Sequence, residues 1–248
     1  MIKKKDKIFA SEKMKVSDFS FNREVANAFD DMVSRSVPNY FESQNAAIKI
    51  ASKYIKNGTN VVDIGCSTGT TLINLSDELT MSKKRRVKYI GIDSSSDMIE
   101  IANRKIKSKK NKSKFKFIVD DFMKTKLKKN ISCYFMHFTL QFIRPIEREI
   151  VLEKIYSTMK SGGCLILLEK VLSNDKYFNR TFIDIYHEYK ISKQGYSNVE
   201  IQKKREALEN VLIPYKVDEN VDLLKNAGFK KIEIFYRWFN WTGFIAVK

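Results

Sequence analysis

Residues 61–75 read VVDIGCSTGTTLINL, and residues 89–102 read YIGIDSSSDMIEIA. In each stretch an apolar run ends in an acid, Asp63 or Asp93, and a helical pattern follows. Gly65 and Gly69 lie between Asp63 and its helix. A glycine turn lets backbone approach a ligand closely, and the helix after it presents free N–H groups. An acid at the tip of the next strand, roughly 20–30 residues on, is where a doubly wound α/β fold holds ribose hydroxyls. Together the two stretches predict a nucleoside site. The Asp-x-Gly-x-x-x-Gly spacing is looser than GxGxxG and leaves no pyrophosphate cradle, which suits S-adenosylmethionine, a nucleoside without phosphate.

Residues 65–69 also spell GxSxG, the nucleophile elbow of α/β-hydrolases, and His187 downstream could complete a triad. Only one strand precedes Ser67, however, and no HGGG-like oxyanion segment exists. The cofactor turn is the better fit.

Working outward, strands are expected near 60–64, 87–92, 115–119, 131–137 and 164–169. Helices are expected over 21–35, from Pro38 to Ile55, and over 69–79, 96–106 and 144–160. Ile146, Ile150, Ile155 and Met159 mark the apolar stripe of the last helix, which Gly162-Gly163 should end. Such alternation predicts a parallel sheet covered on both faces. Residues 174–210 lack strand-like alternation and read as two helices split near Gly195. A helix, a glycine turn and two aromatic-rich strands, 230–238 and 241–247, then close the chain as an antiparallel pair around Asn240. This is α/β, with the layout of the seven-strand, Rossmann-like class I S-adenosylmethionine-dependent methyltransferase fold and an inserted helical segment. One domain over 21–248 is expected, with residues 1–20 a flexible basic tail.

The chain has 248 residues, enough for one well-cored domain, and a formal net charge of +17. Lysine is spread along nearly every segment, and Ile, Asn and Phe are abundant where Pro and Gly are scarce. That is the mark of codon bias and a solvated lysine coat; no stable nucleic-acid partner is expected. No run approaches the roughly 20 apolar residues of a membrane span, and MIKKKDKIFASEKMK has no apolar core behind its charge. Cys66, Cys133 and Cys164 lack metal spacing and read as reduced thiols of a cytoplasmic protein.

The segments FDDMVSRSVPNY, DIGCSTG, GIDSSSDMIE, FTLQFI, LEK, HEYK…QGYS and KKREALENVL, in that order, resemble the carboxy-S-adenosyl-L-methionine synthase family. RSVPNY and KRxxLENVL set them apart from ordinary methyltransferases of the fold. The resemblance runs from about Phe21 to Lys248. It implies a homodimeric enzyme that takes S-adenosylmethionine and prephenate to carboxy-S-adenosylmethionine and phenylpyruvate, without a metal. That product feeds the 5-oxyacetic acid modification of tRNA wobble uridine. A sulfonium acidifies its methyl group, so an ylide can form, and aromatisation of prephenate drives the exchange; the protein need only hold both substrates and exclude water.

The resemblance also implies site residues. Tyr40 matches a ligand-contacting tyrosine, and Gly65, Cys66 and Ser67 the turn that meets the methionine portion. Asp93 and Ser94 match the ribose contacts, and Asp121 and Phe122 the adenine contacts, with Phe122 where the family usually has an aliphatic residue. His137 stands in place of the family's Asn. Arg205 matches the arginine that holds the substrate and product carboxylate, a task suited to a planar guanidinium. His187 matches a family histidine without an assigned role. The main rival is a conventional methyltransferase acting on RNA or a small molecule, yet MHFTLQF replaces the (Asp/Asn)-Pro-Pro-aromatic segment of the base-amine enzymes. A non-catalytic RNA-binding module is a third class, and paired aromatic stacking motifs are lacking for it.

Overall fold

The computed structural model describes residues 6–10, 16–81, 86–109 and 111–248. Its elements in chain order are α1 (Arg23–Ser36), α2 (Tyr40–Tyr54), β1 (Asn60–Ile64), α3 (Thr70–Met81), β2 (Lys88–Asp93) and α4 (Ser96–Ile106). There follow β3 (Phe115–Val119), β4 (Ile131–His137), α5 (Pro145–Thr158), β5 (Met159–Leu172), α6 (Lys176–Ser192) and α7 (Asn198–Leu208). The chain closes with β6 (Tyr215–Lys216), α8 (Val217–Asn226), β7 (Lys231–Trp238) and β8 (Trp241–Val247). The main sheet runs β3-β2-β1-β4-β5-β8-β7, with β6 paired to the end of β5. Strands β1 to β5 are parallel, and β8 lies antiparallel to both β5 and β7. The expected class I methyltransferase architecture is present, with α6 and α7 inserted between β5 and α8.

Alternation along the strands feeds two cores. Val62, Tyr134, Met136, Leu165 and Leu167 face Leu152, Ile155 and Leu224 of α5 and α8. Val61, Cys133, Phe135, Cys164 and Ile166 face Ile48, Leu72 and Leu75 of α2 and α3. The Cys133 and Cys164 sulfurs are 3.7 Å apart on opposed positions of β4 and β5, and both are free thiols. Among the described residues no helix is long and apolar enough to cross a membrane.

Three expectations are corrected. Ile155 and Met159 are buried as expected, but Ile146 and Ile150 are 79% and 51% exposed, and the buried stripe of α5 runs over Arg148, Val151, Leu152 and Ile155. A buried arginine holds one position of that face and hides its period. Its guanidinium donates to the carbonyls of Ile143 and Ile213 and covers the Tyr215 ring. Gly162-Gly163 does not end the helix, which stops at Thr158. The two glycines lie within β5, across a register shift, where a Cβ on Gly163 would come within 2.9 Å of the Ser132 and Lys160 carbonyls.

The third correction concerns the tail. Residues 1–5 and 11–15 lie outside the described residues, but Asp6 and Phe9 are buried against the domain. The Asp6 carboxylate accepts from the Tyr196 hydroxyl at 2.8 Å, and its N–H donates to Asp31. Phe9 stacks on Phe19, whose N–H donates to the Ala207 carbonyl. An acid and an aromatic ring thus seat residues 6–9 against α1 and the chain beside α7.

The turn after β4 owes its shape to Glu169, 2% exposed. Its two carboxyl oxygens accept the N–H groups of Thr139, Leu140 and Gln141 at 2.9–3.2 Å. Glu169→Gln turns one acceptor oxygen into an amide donor facing a buried N–H. It should lower unfolding free energy by about 1–3 kcal/mol in urea titration; unchanged stability would show that the turn holds itself.

Candidate functional site

Strand ends β1, β2, β4 and β5 open into one cavity of about 800 Å³, roofed by Phe19, Phe21 and residues of α1, α6 and α7. Every site residue named from the sequence lines it: Tyr40, Gly65, Cys66, Ser67, Asp93, Ser94, Asp121, Phe122, His137 and Arg205. The turn after β1 needs its glycines. Gly65 has φ +67°, and a Cβ there would sit 2.6 Å from Cγ2 of Thr139. Both conditions exclude a side chain. The N–H groups of Gly65 and Cys66 donate to the Ile92 carbonyl at 2.8 and 3.1 Å, and the Ser67 N–H donates to Asp93 Oδ2 at 2.9 Å.

Asp93 accepts the Ser95 N–H on its other oxygen at 2.9 Å, which leaves a lone pair on each oxygen for a hydroxyl. Burial pushes its carboxyl above the usual range, and Asp63, beside it, is pushed higher by burial and by Asp93 itself. Asp63 is 2% exposed and lines the cavity, and its carboxyl has no hydrogen-bond partner among the described residues. A buried acid of this kind fits a cationic ligand, which would pull it back toward the ionised form. Asp121 Oδ1 accepts the Met123 N–H at 2.9 Å, while the Phe122 N–H has no acceptor among the described residues and is free for a ligand. Phe122 itself is buried, its ring 4.7 Å from Lys154 Nζ, so its side chain serves the core while its backbone faces the site.

Tyr40 is oriented by Gln44, whose amide donates to the phenol oxygen at 3.1 Å and to Thr71 Oγ1 at 3.2 Å. Burial and the carboxylates of Asp30 and Asp63 keep that phenol neutral. Burial and the same Asp63 hold the Cys66 thiol protonated, which removes its nucleophile. Ser67 Oγ rests on the Gly65 carbonyl, and no hydrogen bond joins it to a histidine among the described residues. A hydrolase elbow does not form.

His137 is held neutral: burial pushes its imidazole down to about 3. Its Nδ1 lies 3.5 Å from Thr71 Oγ1, and its buried Nε2 has no hydrogen-bond partner among the described residues. An imidazole titrating there hydrogen-bonds well and is a weak base.

The lining from β5, α6 and α7 carries the cations Lys170, Lys190, Lys204 and Arg205. Arg205 on α7 is exposed at the rim, without an acidic partner among the described residues. Its neighbour Lys204 turns inward, 4.0 Å from Asp6 and 2.7 Å from Ser36 Oγ. Lys170, at the end of β5, and Lys190, on α6, were absent from the sequence-based set. Burial first, and neighbouring cations second, push them down to about 8 and about 7. Position alone hinted at Lys170, since residues at the carboxyl ends of parallel strands form the crevice of such sheets.

A methyltransferase-domain family profile matches residues 61–163. A carboxy-S-adenosyl-L-methionine synthase of Desulfotalea psychrophila is 43% identical over 100% of this chain and 99% of its own length. One of Nautilia profundicola is 44% identical over 98% and 99%. The chain belongs to the carboxy-S-adenosyl-L-methionine synthase family. The family is one of enzymes, and the solved structures agree on the fold. A putative S-adenosyl-L-methionine-dependent methyltransferase of Methanococcus maripaludis is 18% identical, with TM-score 0.60 over 95% of this chain and 97% of that one.

A histidine held neutral has a pH signature. With a folded value near 3 against an ordinary 6.5, the unfolded chain takes a proton below pH 6.5 that the native site refuses. Stability should therefore fall as pH drops from 6.5 toward 3, by at most about 1.4 kcal/mol per unit from this group. Between pH 6.5 and 4.5 the unfolding free energy of the natural protein should fall more steeply than that of His137→Asn. Parallel curves would mean that the native imidazole protonates freely.

Proposed function

We propose that this chain condenses S-adenosylmethionine with the ring carboxylate of prephenate, giving carboxy-S-adenosylmethionine and phenylpyruvate. The atoms balance: a methyl C–H and the prephenate ring C–CO₂ bond break, a C–C bond forms, and the methyl proton leaves with the ring hydroxyl as water. The product would be the carboxymethyl donor for wobble-uridine modification in tRNA. The observation that carries this reading is the division of charge within one cavity. Asp63 and Asp93 line it from β1 and β2, and Lys170, Lys190 and Arg205 line it from β5, beyond β4 in the sheet, and from α6 and α7. One end suits a cationic sulfonium with its ammonium group, the other a dianion. A methyltransferase taking a neutral acceptor has no use for the second end.

In this reading Gly65, Cys66 and Ser67 hold the methionine portion through backbone, and Asp93 and Ser94 hold the ribose. Asp121 accepts from the adenine amine, and the Phe122 N–H donates to the ring. Tyr40 and His137 complete the site as hydrogen-bonding groups, and Arg205 grips the transferred carboxylate. The S-adenosyl group supplies an acidified methyl carbon beside its sulfonium. The aromatic and aliphatic roof, with Phe21, Phe29 and Met32, keeps water out. Residues 21–248 work as one domain, in a cytoplasmic homodimer, and the reaction as written calls for no metal and no nucleic acid.

Mass spectrometry decides it. Pure protein with both compounds should yield a nucleoside carrying one added carboxyl group; S-adenosylhomocysteine with untouched prephenate would establish the conventional methyltransferase instead. Arg205→Ala should lower turnover at least tenfold, about 1.4 kcal/mol, with Arg205→Lys between it and the natural protein. Natural-level rates in both would remove Arg205 from the site.

A further inference from the structure

Two lysines in this cavity, Lys190 buried and Lys170 half-buried, have no counter-ion among the described residues. Lys170 and Trp241 are directly opposed on β5 and β8, so their side chains leave the sheet on one face. The Tyr186 ring lies 5.7 Å from the Trp241 ring. Lys190, one turn along α6 from Tyr186, places its Nζ 4.4 Å from the centre of that ring, and Lys170 Nζ lies 5.5 Å from it. All four residues line the cavity. Lys190 is 8% exposed and Trp241 5%. The Trp241 indole N–H is buried without an acceptor, and neither ammonium has a hydrogen-bond acceptor or ion-pair partner among the described residues.

A tyrosine face attracts a cation, but weakly beside the cost of burying two like charges. The charged groups felt by the two ammoniums are each other, Lys204 and Arg205, all cations. His187 shares the cavity, and its neighbouring acid, Asp184, is already bonded to Arg180 at 3.1 Å. Glu209 also lines the cavity, but among the described residues no acid pairs with Lys170 or Lys190. Three unsatisfied donors of positive or polar character around one empty volume have a common complement, a carboxylate.

We propose that Lys170, Lys190 and the Trp241 N–H form a second carboxylate site, which takes the side-chain 2-oxo acid carboxylate of prephenate while Arg205 faces the ring carboxylate that is transferred. This rests on prephenate being the carboxyl donor. It assigns the enzyme a dianionic substrate, anchored by the group that does not react. The ring carboxylate is then free to leave without loss of grip on the rest. Phenylpyruvate keeps only the anchored carboxylate, so it should bind here as a product.

Calorimetric titration of phenylpyruvate, with prephenate kinetics beside it, separates the two carboxylates. Lys190→Met should weaken phenylpyruvate binding at least tenfold and raise the prephenate KM by as much, with a smaller change in kcat. S-adenosylmethionine affinity should hold, and Lys190→Arg should recover most of the loss. Removing one of several crowded cations should leave the melting temperature of the free protein equal or higher, whereas a lysine kept for structure would lower it. Binding near pH 8 should take up protons, read from the heats in two buffers, and Lys190→Met should diminish that uptake. Arg205→Ala should leave phenylpyruvate binding intact. Natural affinity for phenylpyruvate in both Lys190→Met and Lys170→Met would overturn the second site, and either variant alone serves if the other does not fold. If the natural protein makes no carboxylated nucleoside, the prephenate reading fails while the binding titrations still report on the anion site.

Discussion

The hydrogen bond from the Ser67 N–H to Asp93 is the joint on which the site is built. It ties the turn after β1 to the tip of β2, and the paired donation of Gly65 and Cys66 to the Ile92 carbonyl fixes the distance between them. Only a chain without Cβ at position 65 can pass beneath Thr139 to make it. Thr139 is placed in turn by Glu169 at the end of β5, so the four strand ends form one rigid floor. Asp93 is oriented by two backbone donors and meets a ligand already in position, with little further ordering to pay for.

Upon that floor the cavity is divided by charge. Asp63 and Asp93 are raised by burial, while Lys170 and Lys190 are lowered by it. Each set is thus strained toward neutrality and is restored by a ligand of opposite sign. A sulfonium brought to the acids and a dianion brought to the lysines relieve both ends and also attract each other. The reacting carbons are drawn together by the same electrostatics that binds the two molecules. His137, neutral and weakly basic, sits at the end of β4 as a hydrogen-bonding group.

The glycine turn and the two strand-tip acids were legible in the sequence because their chemistry is local: an apolar run, an acid and a residue without a side chain. Strand spans were legible for the same reason. The buried face of α5 was not, since Arg148 occupies a core position and the exposed Ile146 and Ile150 suggest another face. Asp6 and Phe9 are buried through contacts with Asp31 of α1, Tyr196 and Phe19, which no local pattern foretells. Lys170 and Lys190 were hidden among dozens of solvated cations. What distinguishes them is their place over the Tyr186 ring and the lack of a paired acid among the described residues, and both are tertiary facts. The ten residues implied by the resemblance line one cavity, with Arg205 exposed at its rim.

The central claim is that a carboxyl group passes from one bound molecule to another inside one charge-divided cavity. Prephenate carrying carbon-13 in its ring carboxylate, incubated with S-adenosylmethionine in buffer containing unlabelled bicarbonate, tests that transfer directly by carbon-13 resonance. The account predicts full retention of label in the new carboxyl group, with no dilution as bicarbonate is raised. Label lost to solvent, or a product carboxyl drawn from bicarbonate, would contradict it.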